Sequence, residues 1–171
     1  MTEEELYQKL IAQSISFVSI RPRSEKEILS FLQKKIQRLH VVNQELHAKI
    51  MRRLQELGYI DDASFVRTYV ENMTRNHPMG KRMFVQKLRQ KGVDKDMIDA
   101  VLSDQGDEGN DEEQDARNAV KRKVHIWRKL PDMEAKSKAY GFLARRGFSG
   151  SVVRKIIDEV LGKDYNTPIE E

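Results

Sequence analysis

Apolar residues recur at spacings of three and four along almost the whole chain, which is the pattern of helices with one buried face. The runs stop at residues that end helices, among them Pro22 and Pro78. Gly58, Gly92 and Gly147 each follow a run at the position where a left-handed residue closes a helix. The pattern therefore predicts an all-α protein of nine helices with little or no strand.

Short polar side chains precede several of these runs and are expected to cap the helices. Ser24, with Glu27 three residues later, has the pattern of a capping box. In the pair Asp61-Asp62, one carboxylate is predicted to cap a helix and the other to complement its dipole, rather than to form a metal or acid–base pair. The remaining predicted caps are Asn43, Asp94 and Ser149.

An internal repeat organises the helices. The segments SEKEILSFLQKKI, GKRMFVQKLRQKG and AKSKAYGFLARRG start at residues 24, 80 and 135 and align without gaps. Each copy has a leucine at the same place: Leu32, Leu88 and Leu143. A long fixed period is typical of stacked supersecondary units, so we predict an elongated, curved array of three three-helix repeats. The repeats are expected at 1–58, 59–105 and 116–162, with an acidic linker at 106–115 and a tail at 163–171.

The distribution of charge narrows the class of partner. The 171 residues carry a net charge of +4, but residues 103–115 hold seven acidic residues and no Lys or Arg. The rest of the chain therefore has 31 basic residues against 20 acidic ones. A basic array favours a polyanion or an acidic protein surface as its partner. The alternative is that the charged faces only keep the array in solution.

Other features argue against several classes of function. There is no cysteine, so disulfides and thiolate metal sites are ruled out. The acidic, amphipathic start and the lack of a long apolar stretch argue against a signal peptide and a membrane span, and we expect a cytoplasmic protein. The histidines are scattered, and neither a phosphate loop nor a nucleophile–base pair is present. We therefore predict no catalysis, no metal and no cofactor.

Basic residues near helix ends are the candidates for binding a polyanion. Arg21 and Arg23 flank a helix start, which itself favours anions, whereas Lys91, Arg145 and Arg146 are also explained by the dipole at a helix end. The patch around Trp127 is dense in charge, but we assign Trp127 itself to the core rather than to base stacking. The candidate binding residues are Arg21, Arg23, Lys26, Lys81, Arg82, Lys87, Arg89, Lys91, Lys121, Arg122, Lys123, Arg128, Lys129, Lys136, Lys138, Arg145 and Arg146.

Several motifs resemble one family in order and spacing. RPRSEKEI, LGYIDDASFVRTYV, GKRMFVQKLRQKGV and LARRGFSGSVV are similar to the signatures of the RecX family of recombinase regulators, from Ile15 to about Leu161. The resemblance implies a monomeric, all-helical repeat protein that binds the RecA filament on DNA. It also implies that the protein usually restrains filament growth, ATPase and strand exchange, in DNA repair, recombination and the SOS response. The departures are the long acidic linker and the joint at 34–42, where Ile36 replaces the expected helix-ending glycine.

Two further functions are open from the residues alone. The short turn from Lys91 to Asp94 is similar to that of a helix-turn-helix protein, which would bind single-stranded or double-stranded DNA without a recombinase. A scaffold that binds a partner through a hydrophobic groove is the other alternative. Affinity for phosphate falls steeply with salt, whereas binding in a hydrophobic groove does not, so salt dependence separates the two kinds of binding.

Overall fold

The computed structural model describes residues 2–39, 44–104 and 112–162, and these residues form ten α-helices without a strand. The helices are α1 Glu3–Ile20, α2 Glu25–Arg38, α3 Gln44–Glu56, α4 Asp62–Asn76, α5 Lys81–Gln90, α6 Lys95–Asp104, α7 Glu112–Lys121, α8 Val124–Trp127, α9 Asp132–Arg145 and α10 Gly150–Leu161. The all-α prediction is confirmed. The predicted cap Asn43, residues 106–111 of the predicted linker and the tail at 163–171 lie outside the described residues.

The repeat is visible in equivalent buried positions. Leu32 in α2, Leu88 in α5 and Leu143 in α9 are each fully buried, as expected for the aligned leucines. Losing a fully buried leucine side chain costs about 2–5 kcal/mol, so these positions anchor the three copies of the unit. The repeat arrangement predicted from the sequence is confirmed at this level.

The predicted helix ends follow from backbone conformation. Gly58, Gly92 and Gly147 have φ angles of 74°, 86° and 81°, in the left-handed region that only glycine adopts readily. The first copy lacks such a glycine, and α2 accordingly continues through Ile36 to Arg38. With isoleucine at position 36, where the other copies have glycine, the helix continues for two more residues.

The predicted caps are confirmed in part. Ser24 and Glu27 form the capping box of α2, Asp61 accepts a hydrogen bond from the Ser64 N–H, and Asp94 accepts one from the Asp96 N–H. The exception is Ser149, which precedes α10 but whose hydroxyl makes no bond to the helix backbone.

The start of the third repeat differs from the prediction in two respects. The first of the three helices expected in the repeat at 116–162 is divided into α7 and α8, so the described residues contain ten helices rather than nine. In addition, α7 begins at Glu112, inside the predicted linker, and the Glu112 carboxylate accepts hydrogen bonds from both the backbone N–H and the hydroxyl of Ser149 at 3.0 Å. This contact also explains why Ser149 does not cap α10 with its own side chain.

The chain divides into two compact units, Met1–Tyr69 with Leu88–Val101 and Val70–Lys87 with Leu102–Glu171. The first unit has a core of leucines and isoleucines from α1, α2 and α3. The core of the second is built from α7, α9 and α10 and includes Trp127, whose ring lies edge-on to Phe142 at 5.3 Å. The assignment of Trp127 to the core is confirmed by its 6% exposure.

Candidate nucleic-acid interface

Two equivalent junctions between a helix start and a helix end fix the backbone of two candidate cations, Lys91 and Arg146. In the first unit, the Ser24 hydroxyl donates a 2.6 Å hydrogen bond to the carbonyl oxygen of Lys91. In the second unit, the Gly80 N–H donates a 2.9 Å hydrogen bond to the carbonyl oxygen of Arg146. Ser24 and Gly80 are aligned positions of the repeat, and so are Lys91 and Arg146. A helix start therefore meets a helix end twice in the same manner.

Close packing at both junctions depends on glycine. At Gly92, a side chain would meet the aliphatic stem of Lys26, one of the candidate cations. At Gly80, a side chain would collide with the backbone of Gly147. The left-handed backbone and the close approach together exclude larger residues at Gly92 and Gly147.

In the first unit, three candidate cations surround the carboxylate of Glu27. Oε1 of Glu27 lies 2.7 Å from Arg21 Nη2, 3.4 Å from Lys91 Nζ and 3.9 Å from Arg23 Nη1. We call Arg21, Arg23, Glu27 and Lys91 the Glu27 cluster. Burial by itself would raise the pKa of Glu27, but the hydrogen bonds from Arg21 and from the Ser24 backbone, with the charges of Lys91 and Arg21, hold that pKa below its ordinary value. The cluster thus keeps Glu27 ionised.

Arg23 has a further structural contact. Its guanidinium lies 4.0 Å from the centre of the Phe17 ring, and the other stacking partner of Phe17 is Phe31, at 4.3 Å and nearly parallel. Burial lowers the pKa of Arg23, and so does the neighbouring charge of Arg21. The arginines of the RPRS motif therefore have partners within the fold, which the sequence alone did not indicate.

A cavity of about 480 Å³ lies beside the Glu27 cluster. Its lining includes the candidate Lys26, together with Lys34 and Lys91, but also the carboxylate of Glu27. Because Glu27 faces the same space, the cavity presents mixed charge.

The second unit holds a larger cavity, and the residues of its lining that the structure describes include no carboxylate. Its volume is about 590 Å³, and we call it the unit 2 cavity. The end of α4, the junction of α7 with α8, and α9 contribute its cations, which are Arg75, Lys121, Arg122, Lys123 and Arg146. The structure thus brings together four of the predicted binding residues from two parts of the chain. Arg75 is an addition that the sequence did not indicate, because no pattern of spacing or charge relates it to the others.

Arg146 is held firmly at this cavity. Its Nη1 donates a 2.9 Å hydrogen bond to the Pro78 carbonyl, and its guanidinium lies 4.6 Å from the centre of the Phe142 ring. Burial lowers the pKa of Arg146, and so does the positive charge of Arg122. Cations have therefore been brought close enough to repel one another.

Helix α5 carries a different set of cations. Lys81, Arg82 and Arg89 are exposed and Lys87 is half-buried. Within residues 2–39, 44–104 and 112–162, none of these four forms an ion pair. In α9, by contrast, Lys136 pairs with Asp132 at 3.2 Å and Lys138 pairs with Glu134 at 2.8 Å.

Three other candidates lie outside these groups. Arg128 and Lys129 follow α8 and are exposed, but do not line the unit 2 cavity. Arg145 is exposed at the end of α9. In the part of the chain that the structure describes, no group of His, Asp and Glu side chains has the arrangement of a metal site.

Comparison with known proteins gives these features a family. A model of "RecX, second three-helix domain" matches residues 61–102, and one of "RecX, third three-helix domain" matches residues 111–157. The regulatory protein RecX of Deinococcus radiodurans is 32% identical over 160 residues, which is 93% of this chain and 72% of that protein. The chain belongs to the RecX family. The resemblance predicted from the motifs is thus confirmed.

Other RecX proteins support the same conclusion. The regulatory protein RecX of Chlorobium phaeobacteroides is 31% identical over 86% of this chain and 90% of its own length. The crystal structure of RecX from Lactobacillus salivarius has the same fold, with a TM-score of 0.74 at 19% identity over 90% of this chain and 96% of that one. A second RecX crystal structure has a TM-score of 0.71 at 25% identity, over 89% of this chain and 71% of that one. The RecX relatives are named as regulatory proteins, which agrees with the prediction of a non-enzyme.

The helices also bear on the prediction about membranes. Among the described helices of this RecX-family chain, none combines the length and the apolar character needed to cross a membrane.

Proposed function

We propose that this RecX-family chain is a non-catalytic regulator that binds the RecA recombinase–DNA filament in the cytoplasm. It acts as a monomer and restrains filament growth, ATPase and strand exchange. Helix α5 supplies the principal contact, through Lys81, Arg82, Lys87 and Arg89. The observation that carries this proposal is that these four cations make no ion pair in the described part of the chain.

The cations of α5 are better placed to bind phosphate than those of the Glu27 cluster or of α9. The cations of the Glu27 cluster share a carboxylate, and Lys136 and Lys138 are paired along α9. An already paired cation must give up its partner before it binds a phosphate, whereas an exposed and unpaired one only releases water and counterions. Lys81 and Arg82 also lie at the start of a helix, where the dipole is positive, so dipole complementation does not explain them.

The test is charge reversal on α5. The variant K81E/R82E/K87E is compared with the parent in co-sedimentation with RecA–DNA filaments and in inhibition of the filament ATPase. We expect a loss of more than tenfold in affinity, because three cations are removed and repulsion replaces their attraction. Circular dichroism should show unchanged helicity, since none of the three side chains is buried.

The matched control is K9E/R67E/R154E, which changes the charge equally at three exposed positions on α1, α4 and α10. The control should bind and inhibit like the parent. If K81E/R82E/K87E also behaves like the parent, α5 is not the contact. If both variants lose affinity equally, net charge rather than α5 governs binding.

A further inference from the structure

We propose that the unit 2 cavity is a phosphate-binding site that holds two or more linked phosphates at once. The linked phosphates come either from the backbone of single-stranded DNA or from a soluble polyphosphate such as a nucleoside triphosphate. The inference deepens the proposed function and rests on it, since it adds a second contact for the DNA of the filament.

Charge is the first argument. Five cations line the cavity, and none of the described residues in its lining carries a carboxylate. Helix C-termini attract cations, and α4, α7 and α9 all end here, but each end carries only about half a negative charge, so an excess of roughly three positive charges is left. Dipole complementation therefore accounts for part of the cluster only. One triphosphate would neutralise the excess, and two phosphodiesters would neutralise more than half of it.

The placement of Arg146 is the second argument. Its hydrogen bond to Pro78 and its contact with Phe142 fix the plane of the guanidinium. One of its five N–H donors is used in that bond, and a guanidinium presents the others in a fixed fork that matches phosphate oxygens. Because Arg122 and burial both disfavour the charge of Arg146, an anion in the cavity would relieve an existing repulsion.

An unused hydroxyl is the third argument. Thr74 is one of the lining residues, and its Oγ1 is almost inaccessible to solvent and has no hydrogen-bond partner in the described part of the chain. A buried hydroxyl without a partner lowers stability, so such groups are rare unless ordered water or a ligand satisfies them. A phosphate oxygen would accept this hydrogen bond.

The lining also argues for phosphate rather than base recognition. Phe142 is the only aromatic ring among the described lining residues besides the imidazole of His77. It is already in contact with Arg146 on its face and with Trp127 edge-on. Bases stack on free aromatic faces, so we expect binding that is independent of sequence.

The experiment is done without recombinase, which removes any contact with recombinase side chains. The variant and its control both keep α5 unchanged, so a contact of α5 with DNA is the same in all the proteins compared. Fluorescence anisotropy measures binding of a single-stranded oligonucleotide without a terminal phosphate, and calorimetry measures binding of inorganic triphosphate. The variant R122E/K123E is compared with the control R67E/R154E, which changes the charge equally at exposed positions outside the cavity. We expect R122E/K123E to lose more than tenfold in affinity and the control to lose less than twofold.

The two arms distinguish the sources of phosphate. If triphosphate competes with the oligonucleotide and R122E/K123E weakens both, the site holds the DNA backbone. If R122E/K123E weakens only triphosphate, the site exists and its ligand is a soluble polyphosphate. If the variant binds both as the parent does, or if the control is equally impaired, the inference is wrong.

A second variant separates binding from folding. Thr74→Val keeps the size of the side chain but removes the unpartnered hydroxyl. We expect a melting temperature that is unchanged or raised, together with a several-fold loss of triphosphate affinity. A purely structural role for Thr74 would not weaken binding, and unaltered affinity would contradict the place we give it. Filament inhibition that survives in R122E/K123E but is abolished in K81E/R82E/K87E would leave the proposed function intact.

Discussion

The Ser24 hydroxyl joins two helices that are far apart in sequence, because it accepts a hydrogen bond from the Glu27 N–H and donates one to the carbonyl of Lys91 at 2.6 Å. Helix starts have N–H groups without partners and helix ends have carbonyls without partners. At this junction the Ser24 hydroxyl satisfies one group of each kind, the N–H of Glu27 at a helix start and the carbonyl of Lys91 at a helix end. Gly80 and Arg146 repeat the contact through the backbone alone, so the junction belongs to the repeat rather than to one pair of side chains.

Replacing Ser24 with alanine should lower the free energy of unfolding by about 2 kcal/mol, because the helix cap is removed and the Lys91 carbonyl is left without its buried partner. Urea denaturation followed by circular dichroism measures the change. Ser16→Ala is the control, since the Ser16 hydroxyl is exposed and binds only a carbonyl of its own helix. A typical hydrogen bond contributes roughly 1 kcal/mol to the free energy of unfolding. If Ser24→Ala lowers that free energy by less than about 0.5 kcal/mol, the junction contributes little to stability.

Glu27→Gln should make stability less dependent on pH. Because the pKa of Glu27 is lowered in the folded protein, its ionised form stabilises the fold at neutral pH, and that contribution disappears as the pH falls through the lowered pKa. Glutamine preserves the capping box but not the charge, so we expect a decrease in unfolding free energy of about 1–2 kcal/mol at pH 7 that shrinks towards pH 3.

The measurement is the free energy of unfolding of both proteins from pH 7 to pH 3. Glu56→Gln is the control, because Glu56 forms an exposed pair with Arg53 and should contribute little. A difference between parent and Glu27→Gln that stays constant across this range would contradict the role given to the charge.

The sequence predicted what depends on neighbours along the chain. The buried leucines, the capping box at Ser24 and the left-handed Gly92 and Gly147 all follow from local spacing, and each was confirmed. Contacts between distant segments could not be read in the same way. Asp62, for example, lies in the first turn of α4, as expected for a residue that complements the helix dipole. Its carboxylate also accepts the Glu25 N–H at 2.8 Å, a contact across 37 positions that local spacing does not indicate, and burial raises its pKa.

The same reasoning explains which site residues could be predicted. Each basic residue was recognisable as a candidate, but pairing depends on which carboxylate the fold brings near. Glu27 draws in Lys91 from 64 positions away. Arg75 lines the same cavity as Arg122 and Arg146 only because the fold of the second unit brings the ends of α4, α7 and α9 to that cavity. The periodicity of the sequence does not indicate contacts between residues that are so far apart in the chain.

The single tryptophan gives a spectroscopic test of the core. Trp127 is 6% exposed and packed against Phe142, so its emission should be that of an indole in apolar surroundings. Iodide should quench it weakly, and an oligonucleotide should not quench it by stacking. Free tryptophan in the same buffer is the reference. Strong quenching by both agents would mean that Trp127 is a base-stacking platform after all.

Salt dependence separates the two kinds of contact that α5 can make. If Lys81, Arg82 and Lys87 each neutralise a phosphate, log affinity should depend less steeply on log salt in the variant. The magnitude of the slope should decrease by about 0.7–0.9 for each phosphate that is no longer neutralised, hence by about 2–3 in K81E/R82E/K87E. Filament co-sedimentation at several salt concentrations provides the slopes for the parent, the variant and K9E/R67E/R154E. If α5 instead meets acidic side chains of the recombinase, affinity should still fall while the slope does not follow the number of charges changed, because short ion pairs between proteins release far fewer condensed counterions than DNA does. An unchanged affinity together with an unchanged slope would remove α5 from the interface and shift the search to the unit 2 cavity and the Glu27 cluster.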